Sequence, residues 1–572
     1  MIGIFHTKSG ALDIDGYQSQ ILSGGGSRKL FFVGELYDKN AECVLRSVLG
    51  SEDAHRILAT LSGQFLIVIF DDSQKRLKVF RDQFGQVPVY YAQEGDFLLF
   101  SDSIRAISNR LAHGTQLDRT KVGEYLVFRW LAADQTFFGG VKRLIAGNYL
   151  SISTSECLRV EPFYHFLYRP QKTGVDSGES FEKFFLESLS RQLEARDPRT
   201  LGVLSSGGLD SGILVACAAK LLGKGLRTFL VACDEYENNR IEDVQLISET
   251  FGTRHATVFV DGRRYADSLP RTILLNEDPL NHPSSVLRFC LYSDIRGEVD
   301  HVLSGEGADC LYCGYYIFSL LGGLCGKCVE SPLVRRLARM VPSLPEHPSL
   351  LRYVEKIMTL LRTDTREFVT FHDVLGANIP AEVVKMLDRS VFAPIGTRLL
   401  EFMNKYDRSN QLDGILELYQ TWYLHEALET IYKLAIETNV WHQHTFIDRC
   451  LVEYFNGLPW RKRNKFGTRK YQVRLLAQKY LPKPYVVQRK EGFGVPLRKW
   501  FQDKQGLGRY IEVLRDTQFR NRNIFDGIFM RNMLAKWDRG ELSSDECERL
   551  LWPVINVELW CRLFLDGGAG IP

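Results

Sequence analysis

The chain has 572 residues, of which 45% are hydrophobic and 25% are charged. These are ordinary values for a globular protein, and they exclude a collagen-like repeat, wholesale disorder and a disulfide-stabilised miniprotein. The length exceeds what one hydrophobic core usually organises, so we expect at least two domains. The formal net charge of +3 is too small over this length to indicate a nucleic acid or an acidic membrane as partner.

The N-terminal segment MIGIFHTKSG lacks the basic flank and the long apolar run of a secretory signal. No uninterrupted apolar stretch is long enough to span a membrane, so we expect a cytoplasmic protein. In that reducing compartment the 12 cysteines are expected to be mostly buried thiols.

Residues 1–166 consist of short apolar segments separated by turn signals, such as QFLIVIFDD and RLKVFRDQFG. This pattern is typical of β-strands that pair into packed sheets. A polar stretch with Pro, Gly and Ser predicts an exposed linker at 167–182. Residues 183–572 alternate apolar strands with amphipathic helices, which predicts a parallel α/β sheet. From about residue 349 helix-period segments predict a helical lobe over that sheet.

The segment LGVLSSGGLDSGILVACAAK contains an apolar strand, a glycine-rich loop and a helix-forming run. Glycines let the backbone approach an anion, and the N–H groups at a helix start favour negative charge. Hydroxyl groups add hydrogen bonds, and a carboxylate can hold the Mg²⁺ that neutralises pyrophosphate. Walker and dinucleotide-binding patterns are absent around this loop. The predicted phosphate-binding residues, to which the family resemblance described next assigns ATP and pyrophosphate, are Ser206, Gly207, Gly208, Leu209, Asp210 and Ser211.

SGGLDS resembles the PP-loop of ATP pyrophosphatases, and the chain from about residue 1 to about residue 505 is similar to the asparagine synthetase family. Five further segments carry this resemblance in family order. They are GELY (34–37), RDQFGQVPVYY (81–91), FFGGVKRLIAGNYL (137–150), GEGADCLYCGY (305–315) and RKEGFGVP (489–496), the last followed by Trp500. The resemblance implies an Ntn-hydrolase-like, β-rich glutaminase sandwich at 1–166 and a PP-loop α/β synthetase domain at 183–572.

The resemblance also implies a reaction. ATP would be cut between its α and β phosphates, AMP would pass to a carboxylate, and pyrophosphate would leave. Asp210 and Asp309 would bind Mg²⁺, Gly305 would lie beside the nucleotide, and Lys490 would stabilise the adenylation transition state. Such roles suit the chemistry, because this transfer is accelerated by fixed cations where charge accumulates.

The first departure from the family lies in the N-terminal domain. The family's glutaminase needs cysteine as residue 2, whose own α-amine acts as the base. Here residue 2 is Ile, and Thr7 or Ser9 would need an unusual cleavage to become terminal. Val33 stands where the family has an asparagine that holds glutamine. We therefore expect that glutamine is not the nitrogen source, and that segment 81–91 keeps the domain docked against the synthetase half.

The second departure lies in the helical lobe. When FID at 446–448 is aligned with the family's PFLD, Trp441 stands where a catalytic glutamate is normal and Gln443 where arginine is. This predicts a remodelled acceptor pocket. Glu437 or Glu429 could supply the missing carboxylate from a neighbouring turn.

These departures are similar to those of lasso-peptide macrolactam synthetases and β-lactam synthetases, in which the amine belongs to the substrate itself. The resemblance therefore implies a substituted amide or lactam in a specialised pathway, such as antibiotic biosynthesis, with a peptide or small-molecule carboxylate as substrate. A precursor peptide and a leader protease are the partners that a macrolactam would imply. Asparagine synthesis from free ammonia is the first alternative, and a catalytically silent binding protein is another.

Four cysteines form two C-x2-C pairs separated by eleven residues, a spacing that could hold structural Zn²⁺. The alternative is that these side chains are buried or unliganded thiols. Because of the same cysteine pairs, a PP-loop tRNA thiolase is a further alternative function, in which the basic run at 461–474 would contact RNA. Against it, such thiolases lack a glutaminase-like domain. The cysteines are Cys310, Cys313, Cys325 and Cys328.

Overall fold

A computed structural model gives the architecture of the chain. It describes all residues except 16–19, 24–26, 38–39, 167, 169–178, 195, 235, 237–238, 316–317, 319–332, 334–335, 338–339, 341–379, 392–395, 407–410, 466–467 and 487–493. None of the helices in this described part is both long enough and apolar enough to span a lipid bilayer.

The N-terminal part of the chain is built from strands and short helices. The strands are β1 (Ile2–His6), β2 (Leu12–Asp15), β3 (Gln20–Ser23), β4 (Arg28–Leu36), β5 (Gly63–Asp71), β6 (Arg76–Arg81), β7 (Tyr90–Glu94), β8 (Phe97–Ser101), β9 (Lys142–Arg143), β10 (Asn148–Ser153) and β11 (Arg159–Pro162). The helices are α1 (Ala41–Gly50), α2 (Ala54–Leu58), α3 (Ile104–Ser108) and α4 (Lys121–Phe128).

These strands form two antiparallel sheets that pack face to face, with the orders β2-β1-β8-β7-β9 and β11-β10-β6-β5-β4-β3. The alternation along β5 explains the layers, because successive side chains of a strand point to opposite faces. Leu66 and Val68 pack between the sheets with Phe100 of β8. Phe65 and Ile67 pack on the other side, in the cluster that includes α1 and α2. The predicted β-rich sandwich is confirmed.

The second half contains a parallel sheet flanked by helices. Its strands are β12 (Leu201–Leu204), β13 (Arg227–Cys233), β14 (Arg254–Val260), β15 (His301–Ser304) and β16 (Trp441–His444), in the order β14-β13-β12-β15-β16. The helices up to residue 311 are α5 (Glu179–Glu194), α6 (Leu209–Leu222), α7 (Ile241–Phe251), α8 (Gly262–Asn276), α9 (Ser284–Ile295) and α10 (Ala308–Leu311). The predicted parallel α/β sheet is confirmed. The boundaries proposed at 166 and 182 stay predictions.

From residue 380 onward the described chain is mostly helical. The helices are α11 (Pro380–Met386), α12 (Thr397–Met403), α13 (Gln411–Leu418), α14 (Leu424–Thr438), α15 (Arg449–Gly457), α16 (Trp460–Arg463), α17 (Tyr471–Tyr480), α18 (Lys483–Val486), α19 (Leu497–Phe501), α20 (Arg509–Val513), α21 (Thr517–Asn521), α22 (Gly527–Asp538), α23 (Ser544–Glu546) and α24 (Trp552–Phe564). A 3₁₀ turn covers Arg389–Val391, and π-helical turns cover Tyr419–Tyr423 and Cys547–Leu551. The helix-period pattern noted from about residue 349 thus corresponds to helices in the described residues from 380 onward.

The N-terminal sheets and helix α14 meet through buried charges. The Glu429 carboxylate accepts hydrogen bonds from Arg81 Nη2 at 2.7 Å and from Tyr90 Oη at 2.7 Å. Arg143 Nε lies 3.0 Å from the same carboxylate. Segment 81–91 therefore contributes both ends of its sequence to the contact, in keeping with the docking role expected for it.

Candidate active site

A cleft of about 380 Å³ opens at the carboxyl end of the parallel sheet. It lies where β12 is flanked by β13 on one side and by β15 on the other. Because the chain runs from β12 to β13 on one side while β15 joins on the other, the loops that follow β12 and β15 diverge there. Ligands of open α/β sheets bind at such a switch point.

The loop after β12 has the backbone geometry of an anion site. Gly207 has a positive φ of 72°, and a Cβ atom there would lie 2.9 Å from Cβ of Arg240. The loop is closed on itself, because Ser206 N donates to Ser211 Oγ at 3.2 Å. Helix α6 begins at Leu209 with no side chain capping its N-terminus. Leu209, Asp210 and Ser211 of its first turn line the cleft, where the N–H groups of a helix start favour a phosphate.

Two of the predicted carboxylates meet in this cleft, and a lysine lies between them. Lys470 Nζ donates to Asp210 Oδ2 and, at 2.8 Å, to Asp309 Oδ1. Burial lowers the pKa of Lys470, but the two carboxylates outweigh burial and raise it above its ordinary value. Gly305 packs so closely on this group that a Cβ atom there would lie 2.8 Å from Cβ of Asp210. The sequence interpretation did not single out Lys470.

Further cations line the same cleft. Arg240, Arg469 and Arg474 contribute to its wall together with Lys470. Three of these four belong to the basic run at 461–474, which was considered as an RNA contact. Their position beside the loop of residues 205–211 suits a polyphosphate, because fixed cations stabilise charge that accumulates on a leaving group.

A buried histidine forms the inner wall of the cleft. The side chains of His442 on β16 and Tyr292 on α9 are hydrogen-bonded, and His442 Nε2 lies 2.6 Å from Ser304 Oγ. Burial, together with His444 and Arg288, holds the pKa of His442 well below its ordinary value. The ring is therefore neutral at pH 7. Both His442 and Ser304 line the cleft, whereas Tyr292 lies behind them.

A profile of the family described as Asparagine synthase matches residues 180–562. The chain belongs to the asparagine synthase family. Its members are ATP-dependent ligases, and the family generally uses ATP and Mg²⁺. A profile described as Glutamine amidotransferase domain matches residues 33–164. The resemblance stated from the motifs is confirmed.

The relatives within the family have low sequence identity to this chain but match most of its length. Asparagine synthetase [glutamine-hydrolyzing] 1 of Bacillus subtilis is 21% identical over 88% of this chain and 78% of its own length. Asparagine synthetase [glutamine-hydrolyzing] 3 of the same organism is 22% identical over 80% of this chain and 71% of its own length. NMN synthetase from Francisella tularensis matches 25% of this chain and 59% of its own at 19% identity and a TM-score of 0.20, a likeness too weak to inform the fold.

Trp441 and Gln443 are the positions at which the motif resemblance predicts a remodelled acceptor pocket. Trp441 stacks edge-on against Tyr432, with ring centroids 6.0 Å apart. Gln443 Nε2 donates to Glu35 Oε2 at 2.8 Å, across to the N-terminal domain. Neither residue is among those that line the described cleft. The side chain that β16 contributes there is His442.

The two glutamates suggested as replacements do not reach the cleft, and that suggestion is wrong. Glu429 faces the N-terminal domain and is held by Arg81, Arg143 and Tyr90. Glu437 forms an ion pair with Arg271 near the surface. Glu429 lies one helical turn before Tyr432, which packs on Trp441 of β16, and at that point of α14 it meets Arg81 of the N-terminal domain and not the cleft.

The start of the chain lies inside the N-terminal sandwich. Ile2 is paired with Ser101 of β8 and is buried. The Met1 amine donates to Asp102 Oδ1 at 2.7 Å. Thr7 comes after the end of β1, where its hydroxyl donates to the backbone oxygen of Asp96. Val33 is buried among apolar side chains between the sheets. No thiol or hydroxyl side chain is present in β1.

Some predicted site residues lie outside the described residues. They are Lys490 in the RKEGFGVP segment and the second cysteine pair, Cys325 and Cys328. The first pair is described: Cys310 and Cys313 are buried, and burial raises the pKa of Cys313 to about 12. Within the described part of the chain, no three metal-ligating side chains form a cluster. A zinc site stays a prediction that depends on the second pair.

Proposed function

We propose that this asparagine synthase family member adenylates a substrate carboxylate, releases pyrophosphate and lets an amine attack, without hydrolysing glutamine. The observation that carries the proposal is the cleft in which the SGGLDS loop, the carboxylates of Asp210 and Asp309, and a ring of cations converge. The lack of a nucleophilic side chain in β1 supports the part that concerns glutamine.

In the first step the loop and the helix N-terminus would bind the phosphates of ATP. Asp210 and Asp309 suit Mg²⁺, because their carboxylates lie close enough together to contact the same ammonium group. Phosphate oxygens of ATP could complete the coordination shell of the ion. Bound there, Mg²⁺ would neutralise charge on the departing pyrophosphate. Lys470 and the arginines supply further positive charge, while the family resemblance assigns Lys490 to the transition state.

In the second step an amine would displace AMP at the far wall of the cleft. His442 is the residue that we assign to this side, because it lines the cleft and is neutral at pH 7. Both ring nitrogens are engaged, Nδ1 with the Tyr292 hydroxyl and Nε2 with Ser304 Oγ, so the ring would act on the amine through the Ser304 hydroxyl, which also lines the cleft. This would offset the loss of the family's glutamate at 441.

The product that we propose is a substituted amide or a lactam whose amine belongs to the substrate. Lasso-peptide and β-lactam synthetases serve as the comparison, and a precursor peptide with a leader protease would be partners for a macrolactam. Asparagine formation from aspartate and free ammonia is the second candidate, because the relatives that match most of the chain are asparagine synthetases. The family match gives no support to a tRNA thiolase.

The test combines two assays on the purified chain. Pyrophosphate and AMP release from MgATP is measured against a panel of amino acids and peptides, and each product is checked by mass for loss of water. Aspartate with ammonium is one member of the panel. Glutamate release from glutamine should stay at background, since Ile2 has no nucleophilic side chain. Formation of ADP, or robust glutamine hydrolysis, would contradict the proposal.

A further inference from the structure

Lys470 is built into the cleft in an unusual way. It immediately precedes helix α17 and has a positive φ of 54°, a region that non-glycine residues rarely adopt. Its backbone N–H donates to the backbone oxygen of Cys313 at 3.2 Å, which ties it to the loop after α10. Such strain persists only where the surroundings hold the residue in place.

The neighbouring loop leaves space for the lysine to reach Asp309. A Cβ atom on Gly314 would lie 2.1 Å from Asp309 Oδ1 and 2.6 Å from Cε of Lys470. Any larger residue there would therefore push the carboxylate and the lysine apart. The side chain of Lys470 is 6% exposed, whereas those of Asp210 and Asp309 are 17% and 28% exposed. The ammonium is thus enclosed, with the carboxylates on its open side.

The oxygens that hold this ammonium are those that would hold a divalent cation. We propose that Lys470 and the divalent cation compete for the Asp210–Asp309 pair, so that the cation binds this pair weakly until a triphosphate takes over the ammonium. A cation bound to the same oxygens would face the ammonium at a few ångströms in a partly buried site, where like charges repel strongly. This deepens the proposed function, because it concerns the same nucleotide cleft.

The triphosphate gives the lysine a new partner. A lysine carries its charge on a flexible four-carbon stem, so the ammonium can turn from the carboxylates to a phosphate oxygen without movement of the helix. Arg240, Arg469 and Arg474 line the same cleft and would draw the phosphates to it. Lys470 then serves the apo enzyme as a placeholder cation and the loaded enzyme as a phosphate ligand. Weak binding of the metal alone is the measurable consequence.

The test uses Mn²⁺ as an electron paramagnetic resonance probe on the full chain, without nucleotide. The wild type should bind Mn²⁺ weakly at this site, and Lys470→Met should bind it at least about tenfold more tightly, within the range typical of coupled sites. Adding Asp309→Asn to Lys470→Met should remove the gain. Lys470→Arg, which keeps the charge, should behave like the wild type.

Lys465→Met is the matched control, because Lys465 is an exposed lysine of the same basic run, with its ammonium 5.7 Å from the Tyr471 ring. It should leave Mn²⁺ binding unchanged. If Lys470→Met binds Mn²⁺ no better than the wild type, the proposal is overturned. If Lys470→Met fails to fold, the wild type provides the test. Tight Mn²⁺ binding by the wild type without nucleotide, lost in Asp309→Asn, would also overturn the proposal.

The outcome is separable from that of the proposed function, because no turnover is measured. With α,β-methylene-ATP added, the wild type should gain Mn²⁺ affinity by a larger factor than Lys470→Met, since only the wild type has an ammonium to move. If this pattern holds but MgATP is never cut to AMP and pyrophosphate, the proposed function alone fails. If AMP and pyrophosphate form while Lys470→Met leaves Mn²⁺ binding unchanged, only the competition fails.

Discussion

Replacing Glu429 by Gln should destabilise the contact between the N-terminal domain and helix α14 more than any other neutralisation at that interface. The wild-type carboxylate is 4% exposed and accepts from Arg81, Arg143 and Tyr90 at 2.7 to 3.1 Å. The amide would remove the charge that compensates two buried guanidinium groups. Its NH₂ group would also face donors where an acceptor is needed.

The magnitude follows from the burial of both partners. The side chains of Arg81 and Arg143 are fully buried, and breaking a buried ion pair by removing one partner costs about 3 to 5 kcal/mol. The neighbouring Glu426 is the matched control. It accepts from Arg143 Nη2 at 3.1 Å, but burial raises its pKa to about 7 despite the attraction of Arg143. Glu426→Gln should therefore cost less than about 1.5 kcal/mol at pH 7.

The pH dependence has a definite sign. Burial opposes ionisation of Glu429, but Arg143 and Arg81 outweigh it and hold the pKa of this carboxyl below its ordinary value of 4.5. Its contribution to stability is therefore fully present above pH 4.5 and is lost as the pH falls through the lowered pKa. The difference between wild type and Glu429→Gln should be present above about pH 4.5 and should shrink as the pH falls below that value.

The assay is guanidinium unfolding at pH 7.5, followed by tryptophan fluorescence and circular dichroism. Because two domains are involved, the midpoint and slope of the first transition are compared rather than a single free energy for the whole chain. Equal shifts for Glu429→Gln and Glu426→Gln would refute the reasoning, as would a cost below about 1 kcal/mol for Glu429→Gln.

Three further predictions concern the cleft and the cysteines. Asp309→Asn and Lys490→Ala should each slow pyrophosphate release by about a hundred- to a thousand-fold, and ATP binding should be better preserved in the lysine variant. Normal turnover in both variants would contradict the adenylation site. His442→Ala should reduce amide formation while ATP–pyrophosphate exchange continues, and equal loss of both reactions would remove its acceptor-side role. Elemental analysis of protein purified without added metal should show whether zinc is bound, and near-stoichiometric zinc lost on replacing Cys325 and Cys328 would establish the site.

The sequence by itself determined the fold class and the position of the phosphate loop. The continuous apolar run in β5 specifies a strand that is buried on both faces, because successive side chains point to opposite sides of the sheet. The order strand, SGGLDS, helix is local, so a dozen consecutive residues contain the whole loop. Asp210 and Asp309 each follow a parallel strand, and the carboxyl ends of adjacent parallel strands share one edge of the sheet.

Only the tertiary structure decided which distant side chains complete the cleft. Lys470 lies 260 residues from Asp210 and is brought to it by the start of α17, a contact that no local pattern encodes. In the sequence, Lys470 and its basic neighbours form one continuous run. Only the direction in which each side chain leaves the backbone decides whether it lines the cleft or lies at the surface. A search of that run for a lysine just before an apolar helix could have drawn attention to it.

The surroundings of Glu429 and His442 likewise could not be predicted from the sequence. Glu429 is an ordinary helical glutamate in the sequence, and its function as the centre of a buried charge cluster depends on Arg81 and Arg143, which are about 350 and 290 residues away. His442 gains its place because β16 adds to the sheet beside β15, so that His442 and Ser304 reach the same wall. Burial and long-range pairing are properties of the packed chain, and for this reason they were decided by the tertiary structure.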